Sequence, residues 1–148
     1  MKRILIIDDD VDLSFIISEM LEQYGYAVMT AESGEEAFAL LSKNSFDLIL
    51  LDINLPDGTG FELCQELRRV SNVPVIFASA RTSEDDKITG LDMGGDDYIA
   101  KPYSLKELMS RINSLLRRTY GFETTGSKYT LMAGKGNEIV VDTATRTV

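Results

Sequence analysis

Short apolar runs alternate with longer amphipathic segments over most of the chain. Residues 4–7, 48–51 and 73–78 are apolar without helical spacing, which predicts strands buried on both faces, and residues 26–30 and 97–100 predict two more strands. Elsewhere apolar residues recur every three or four positions, so we expect five helices. Such an alternation predicts an α/β fold, a doubly wound five-stranded parallel sheet, for which the order 2-1-3-4-5 is common.

Sequence signals also mark where some helices begin and end. Ser33 is followed three residues later by Glu36, and Ser104 by Glu107, which predicts a capping box at each of these helix starts. Gly25 is expected to end the first helix.

The C-terminal part of the chain has a different composition. Residues 121–136 are rich in Gly, Thr and Ser, which is typical of a linker, and residues 137–148 contain two short segments that predict strands. Two strands alone are marginally stable in water. We therefore predict a domain over residues 1–120, a linker over 121–136 and the start of a truncated second domain over 137–148.

Polar side chains stand where the predicted strands end. Asp8 and Asp9 follow the first strand, Asp52 the third, Ser79 the fourth and Lys101 the fifth. The carboxyl ends of parallel strands share one edge of a sheet, and ligands bind there, where the strand order reverses. That reversal lies between the first and third strands, so we expect these side chains to converge on one site.

Three converging carboxylates require a counter-charge. Two of them about 4 Å apart repel by roughly 4 kcal/mol at an effective dielectric near 20. Lys101 supplies one positive charge, and a divalent cation would supply the rest; oxygen-only ligands suit Mg²⁺. An aspartate beside Mg²⁺ can attack phosphorus, and the Ser79 hydroxyl and Lys101 would then contact the phosphoryl oxygens.

Composition excludes several other classes of protein. The formal net charge is −9 and there is no histidine, which argues against direct nucleic-acid binding by most of the chain and removes Ser-His-Asp catalysis and most zinc sites. Cys64 is the only cysteine, so an internal disulfide is excluded. No apolar run approaches the roughly 20 residues that a bilayer requires, and the N-terminus lacks the features of a signal peptide. We expect a cytoplasmic protein with no membrane contact.

The strand-end residues resemble the signature of response-regulator receiver domains of two-component signalling, which have the flavodoxin-like or CheY-like form of this fold. The residues that carry this resemblance, over roughly residues 1–118, are Asp8-Asp9, Asp52, Ser79-Ala80 and Lys101-Pro102. It implies a phosphoacceptor switch rather than an enzyme, with a sensor histidine kinase as partner.

The resemblance also implies a role for each site residue. Asp52 would be the phospho-acceptor; Asp9 and Asp52 would bind Mg²⁺ directly, Asp8 through water and Asn54 through its backbone carbonyl. The residues implied to contact the phosphoryl group or to respond to it are Ser79, Ala80, Lys101 and Tyr98. Pro102 would follow a cis peptide bond.

Residues 95–103 resemble more closely the OmpR/PhoB-like transcription regulators. In that subfamily the fourth helix, fifth strand and fifth helix form a two-fold dimer interface. The residues in the matching places would form the salt bridges of that interface: Lys87 with Glu107, Asp97 with Arg111, and Asp96 with Arg118.

Three positions near this interface depart from the subfamily pattern: Asn113 stands where a base is usual, Gly95 where alanine is usual and Tyr103 where phenylalanine is usual. Residues 137–148 resemble the opening strands of a winged-helix DNA-binding domain. DNA binding is therefore expected only through the missing C-terminal domain.

Two other functions stay open at this point. Asp8-Asp9-Asp10-Val11 matches the Asp-x-Asp-x-Val motif of haloacid-dehalogenase-like Mg²⁺ phosphatases, with Asp8 as nucleophile, although Lys101 then follows the Gly95-Asp96-Asp97 run instead of preceding it. The chain is also compatible with a degenerate receiver that only binds partners. For single residues, the acids at 8–10 could simply cap a helix and Tyr98 could be a static core residue.

Overall fold

The structure, a computed structural model, describes residues 2–81 and 83–121. It contains seven strands and five helices in this part of the chain. The strands are β1 Arg3–Ile7, β2 Ala27–Ala31, β3 Leu48–Leu51, β4 Asn54–Leu55, β5 Gly58–Thr59, β6 Val75–Ser79 and β7 Asp97–Ala100. The helices are α1 Val11–Gln23, α2 Gly34–Leu41, α3 Gly60–Leu67, α4 Glu84–Asp92 and α5 Leu105–Tyr120.

Five of the strands form one parallel sheet in the order β2-β1-β3-β6-β7. The two-residue strands β4 and β5 pair antiparallel as a separate hairpin directly after β3. The fourth and fifth strands expected from the sequence are therefore β6 and β7, and the predicted order is confirmed.

The three central strands explain the continuous apolar runs. Every residue of β3 and β6 is buried, as are the last four of β1, because helices cover both faces of the sheet. The ring of Phe77, at the centre of β6, lies 5.4 Å from the ring of Phe61 in an edge-on arrangement and 6.1 Å from that of Tyr98. β6 begins later than predicted because Pro74 has no N–H to donate to the sheet.

The turn after α4 passes close to Phe77. A Cβ atom placed on Gly95 would lie 2.5 Å from Cε2 of the Phe77 ring and 3.0 Å from the carbonyl oxygen of Gly90. Glycine at position 95 therefore makes room for a large aromatic side chain in the sheet.

Helix capping follows the sequence signals only in part. Ser33 and Ser104 accept hydrogen bonds from the backbone of the residue three positions later, as predicted. The reciprocal half of each predicted box is wrong: the Glu36 carboxylate accepts from the N–H of Glu32, and the Glu107 carboxylate pairs with Arg111. A complete capping box forms instead at the start of α3, between Thr59 and Glu62.

The chain divides into two units, Met1–Leu116 and Arg117–Val148. The first contains the whole sheet. In the second, only residues 117–121 are described; the predicted linker beyond Gly121 and the predicted strands at 137–148 lie outside the described residues. Within the described residues, none of the helices has the length and hydropathy that a membrane span requires.

Candidate functional site

Two central strands place three carboxylates at the carboxyl edge of the sheet. The N–H of Asp8 donates to the carbonyl of Ala31 at 3.0 Å, and the N–H of Asp52 donates to the carbonyl of Ile7 at 2.9 Å, so the sheet hydrogen bonding continues to both residues. One carboxylate oxygen from each of Asp8, Asp9 and Asp52 lies within 4.8 Å of the other two. The next acid, Asp10, turns away and caps α1 by accepting from the N–H of Leu13.

Lys101 crosses from the end of β7 to join this cluster. Its Nζ lies 2.7 Å from Oδ2 of Asp8 and 3.0 Å from Oδ2 of Asp52. Burial acts to lower the pKa of Lys101, but the hydrogen bonds to the two carboxylates outweigh it, so the pKa is raised. The ammonium therefore stays charged between the two acids. The peptide bond from Lys101 to Pro102 is cis.

Asp8 is the most enclosed of the three acids. Its side chain is 7% exposed and that of Asp52 is 9% exposed, whereas Asp9 is exposed. Burial acts to raise the pKa of Asp8, and the hydrogen bonds from Lys101 and from the N–H of Asp10 act to lower it. Burial has the larger effect, so the pKa of Asp8 is raised. This environment favours an additional positive charge beside Asp8.

The cluster fits a hard divalent cation. Three carboxylates against one ammonium leave two negative charges in a largely buried space, and all the side-chain donors are oxygens. Mg²⁺ prefers such ligands and usually keeps several waters, which suits a site with one exposed acid. Asp8, Asp9 and Asp52 are the residues that would hold it.

The end of β6 and the loop that follows it are linked to β7 and to the loop after Asp52. Ser79 is fully buried, and its hydroxyl oxygen accepts from the N–H of Arg81 at 3.3 Å; Ala80 between them is exposed. The Tyr98 hydroxyl donates to the carbonyl of Arg81, and burial raises the pKa of Tyr98. The Arg81 guanidinium also donates to the side-chain oxygen of Asn54 at 3.1 Å, which links this loop to the one that follows Asp52.

The loop after Asp52 is held at several points. The N–H of Asn54 donates to Oδ1 of Asp52 at 3.2 Å. The Asp57 carboxylate accepts from the N–H groups of Gly34 and Glu35, both at 2.9 Å, and so ties the loop to the first turn of α2. A Cβ on Gly60 would lie 2.3 Å from the carbonyl oxygen of Asp52, so only glycine allows α3 to begin there.

The roles of Arg81, Asp57 and Gly60 were not predicted from the sequence. The pair Asp57-Gly58 signals a turn, but nothing in its local sequence indicates the contact with α2, which lies 22–23 residues away. Neither Arg81 nor Gly60 carries a motif of its own.

The predicted dimer residues make contacts within the chain. Arg111 lies 2.9 Å from Asp97 and 3.3 Å from Glu107. Asp96 accepts from the N–H of Val75 at 2.9 Å and lies 3.2 Å from Arg68. Both Lys87 and Arg118 are exposed, and Asn113 accepts a hydrogen bond from the Tyr26 hydroxyl at 2.7 Å.

Comparison with known proteins agrees with the fold and shows the family. Residues 4–113 match the response regulator receiver domain, and the chain belongs to that family. It is 45% identical over 118 residues to the probable transcriptional regulator ycf27 of Cyanophora paradoxa, covering 80% of this chain and 49% of that protein. Over 123 residues it is 43% identical to the transcriptional regulatory protein CpxR of Klebsiella pneumoniae, covering 83% of this chain and 53% of that protein.

A solved structure shows the same architecture. The crystal structure of a two-component response regulator from Clostridium difficile superimposes with a TM-score of 0.79 at 35% identity, covering 81% of this chain and 99% of that one. The regulators that the sequence matches are of the OmpR/PhoB-like kind, and this chain spans about half of their length.

Proposed function

We propose that this receiver domain accepts a phosphoryl group on Asp52 from a sensor histidine kinase, with Mg²⁺ bound by Asp8, Asp9 and Asp52. The observation that carries the proposal is the meeting of these carboxylates with the Lys101 ammonium at one edge of the sheet. When bound, Mg²⁺ would neutralise charge on the transferring group.

The chain's own residues have separate tasks in this transfer. A carboxylate oxygen of Asp52 forms the bond to phosphorus while the bond from phosphorus to the donor atom breaks and its electron pair leaves with the donor. Lys101 moves from pairing with Asp52 to contacting a phosphoryl oxygen, and the Ser79 hydroxyl is available to donate to another. The backbone carbonyl of Asn54 would complete the protein ligands of the cation.

A phosphoryl group would bias the loop that follows β6. It adds about −1.5 to −2 charges next to Ser79. Movement of Ser79 would be transmitted to Tyr98, because both hydrogen-bond to Arg81. We propose that Tyr98 responds to phosphorylation in this way.

The output that we propose is dimerisation and transcription control. The faces of α4, β7 and α5 carry Lys87, Asp97, Glu107 and Arg111. The Asp97–Arg111 pair already forms within one chain, so a two-fold dimer through this face would exchange some internal pairs for pairs across the interface. DNA would be bound by a part of the protein outside the described residues, in the cytoplasm.

Intact mass spectrometry tests the acceptor. Incubation with a small phosphodonor and Mg²⁺ is expected to add one phosphoryl group, and Asp52→Ala is expected to abolish the addition. Asp12→Ala, which changes an exposed acid in the first turn of α1, is the matched control and should be labelled like the wild type.

The same experiment separates the alternatives. Labelling that survives Asp52→Ala but is lost in Asp8→Ala would favour the haloacid-dehalogenase-like phosphatase. No labelling of the wild type would favour a degenerate receiver. The family match and the predicted sheet order, which the structure has, favour the receiver over the phosphatase.

Analytical ultracentrifugation tests the dimer separately. The chain is expected to shift from monomer to dimer when beryllofluoride and Mg²⁺ are added, and Arg111→Ala should weaken the shift. A monomer under both conditions would refute the dimer while leaving the acceptor intact.

A further inference from the structure

The loop between Asp52 and α3 is a hairpin whose tip is attached to α2. Strands β4 and β5 pair antiparallel and leave Pro56 and Asp57 as the two residues of the tip. Oδ1 of Asp57 accepts from the N–H of Gly34 and Oδ2 accepts from the N–H of Glu35, both at 2.9 Å. The carboxylate thus binds two amide groups that have no partner within the helix, at the end where the helix dipole favours negative charge.

The short hairpin connects this attachment to the acceptor carboxylate. The ring of Pro56 fixes its φ angle at about −65°, which makes the tip stiff. At the base of the hairpin, the N–H of Asn54 donates to Oδ1 of Asp52 at 3.2 Å. A displacement of the tip at Asp57 would therefore reach the hydrogen bond that orients the side chain of Asp52.

The carboxylate of Asp52 is held from two sides. Oδ1 accepts from the N–H of Asn54, and Oδ2 lies 3.0 Å from Nζ of Lys101. Lys101 is the residue that would turn to a phosphoryl oxygen during transfer, so the bond from Asn54 is the one that would keep the carboxylate oriented. The side chain of Asn54 also accepts from Arg81 at 3.1 Å, so loss of the tip attachment should loosen the hairpin without releasing it.

We propose, building on the phosphorylation of Asp52 proposed above, that Asp57 is a positioning residue for the transfer. Its carboxylate is occupied by the first turn of α2 and acts through the hairpin. By fixing the tip, it keeps the N–H of Asn54 against the acceptor carboxylate and so holds the attacking oxygen in a reactive geometry. Helix α2 is thereby a support of the acceptor site, although it contributes no residue to the three-carboxylate cluster.

The rate of labelling by acetyl phosphate, measured against Mg²⁺ concentration on the whole 148-residue chain, tests this role. Asp57→Ala is expected to lower the maximal rate at saturating Mg²⁺ by about threefold to tenfold. Asp57→Asn keeps one acceptor oxygen and should fall between Asp57→Ala and the wild type. Glu32→Gln removes an exposed acid from the loop before α2 and is the charge control. A change of charge alone acts on cation binding, so Glu32→Gln should leave the maximal rate unchanged.

A matched pair of variants at Gly34 breaks the same contact from the side of the helix. Gly34→Ala and Gly34→Pro both place a Cβ atom about where it would lie 3.3 Å from Cδ1 of Leu63, but only proline removes the N–H that donates to Asp57. Proline is well tolerated at the first position of a helix, and the extended backbone of Ser33 suits a following proline. Gly34→Pro should therefore lower the maximal rate, with the charge of Asp57 intact, and Gly34→Ala should not.

The backbone amide NMR shift of Asn54 provides a second readout, recorded without phosphodonor at a temperature where each variant is folded. It is expected to move in Asp57→Ala and Gly34→Pro and to stay in place in Gly34→Ala. Unchanged maximal rates in both Asp57→Ala and Gly34→Pro, or equal losses in the two Gly34 variants, would overturn the role of Asp57 while Asp52 remains the acceptor. No labelling of the wild type would instead refute the acceptor itself, so the two proposals fail in different ways.

Discussion

Lys101 and Asp52 are 49 residues apart in the sequence, yet Nζ of Lys101 lies 3.0 Å from Oδ2 of Asp52 and bonds to Asp8 as well. The ammonium is thus the internal counter-charge of two buried acids. Replacing it with methionine leaves both carboxylates without a partner, so Lys101→Met is expected to lower the free energy of unfolding by about 3 kcal/mol without Mg²⁺. Chemical denaturation measures this directly.

Magnesium should compensate part of that loss. Because the cation replaces the missing positive charge, saturating Mg²⁺ is expected to raise the thermal midpoint of Lys101→Met more than that of the wild type. Lys106→Met, on the exposed side of α5, is the control and should behave like the wild type in both respects. Equal effects of Mg²⁺ on all three proteins would contradict the role assigned to Lys101.

The Asp57 contact with α2 predicts a pH-dependent contribution to stability. The N–H groups of Gly34 and Glu35 hold the pKa of Asp57 below its ordinary value of 3.8. A carboxylate with a lowered pKa stabilises the fold fully above its unfolded pKa, and this contribution is lost as the pH falls through the folded value. Asp57→Asn should therefore be less stable than the wild type by a constant amount near neutral pH, and the difference should shrink below about pH 4.

Urea denaturation at several pH values would measure that difference. Asp92→Asn, which changes an exposed acid at the end of α4, serves as the control and should show no comparable loss at neutral pH. A deficit in Asp57→Asn that stays the same down to pH 3 would show that the charge is irrelevant.

Gly95 and Phe77 are predicted to be energetically coupled. An alanine Cβ at position 95 would overlap the Phe77 ring, so Gly95→Ala is expected to cost about 1–3 kcal/mol by overpacking. The smaller side chain of Phe77→Leu relieves the overlap, and Gly95→Ala should then cost less. A double-mutant cycle measured by denaturation gives the coupling, and identical costs in both backgrounds would be the contrary result.

Loss of the hydrogen bond from the Tyr98 hydroxyl to the Arg81 carbonyl is expected to have a smaller effect on the free energy of unfolding. Tyr98→Phe removes the donor and leaves the Arg81 carbonyl without this partner, so the free energy of unfolding should fall by about 1 kcal/mol. Tyr24→Phe changes a tyrosine that is 66% exposed and is expected to have no measurable effect. Indistinguishable stabilities of the two variants would argue that the hydrogen bond contributes nothing.

The sheet was predictable because burial on both faces leaves a direct trace in the sequence. Short continuous apolar runs such as 48–51, bounded by polar and turn residues, are typical of such strands, and their ends locate Asp8, Asp9 and Asp52 at one edge. Lys101 was predictable for the same reason, as the first polar residue after the last strand. The site residues of a doubly wound sheet are thus largely encoded by position relative to the strands.

Contacts between loops were not predictable in this way. A capping serine is a local signal, and both Ser33 and Ser104 act as predicted, but the partner of a glutamate side chain depends on what folds next to it, as Glu107 shows by pairing with Arg111. The covered side of α1 does not follow from its apolar spacing either: Ile16 and Tyr24 fit that spacing but are 49% and 66% exposed. Periodicity locates a helix more reliably than it identifies which side is covered.

The proposed acceptor site consists of residues from three strand ends, and its two ion pairs join positions 93 and 49 residues apart. A short peptide containing Asp52 would carry the acceptor side chain but neither Lys101 nor Asp8. On the proposed function, a phosphodonor would therefore need the folded site and not only the sequence around Asp52. Newly synthesised or damaged chains would then accept no phosphoryl group until the whole sheet has assembled.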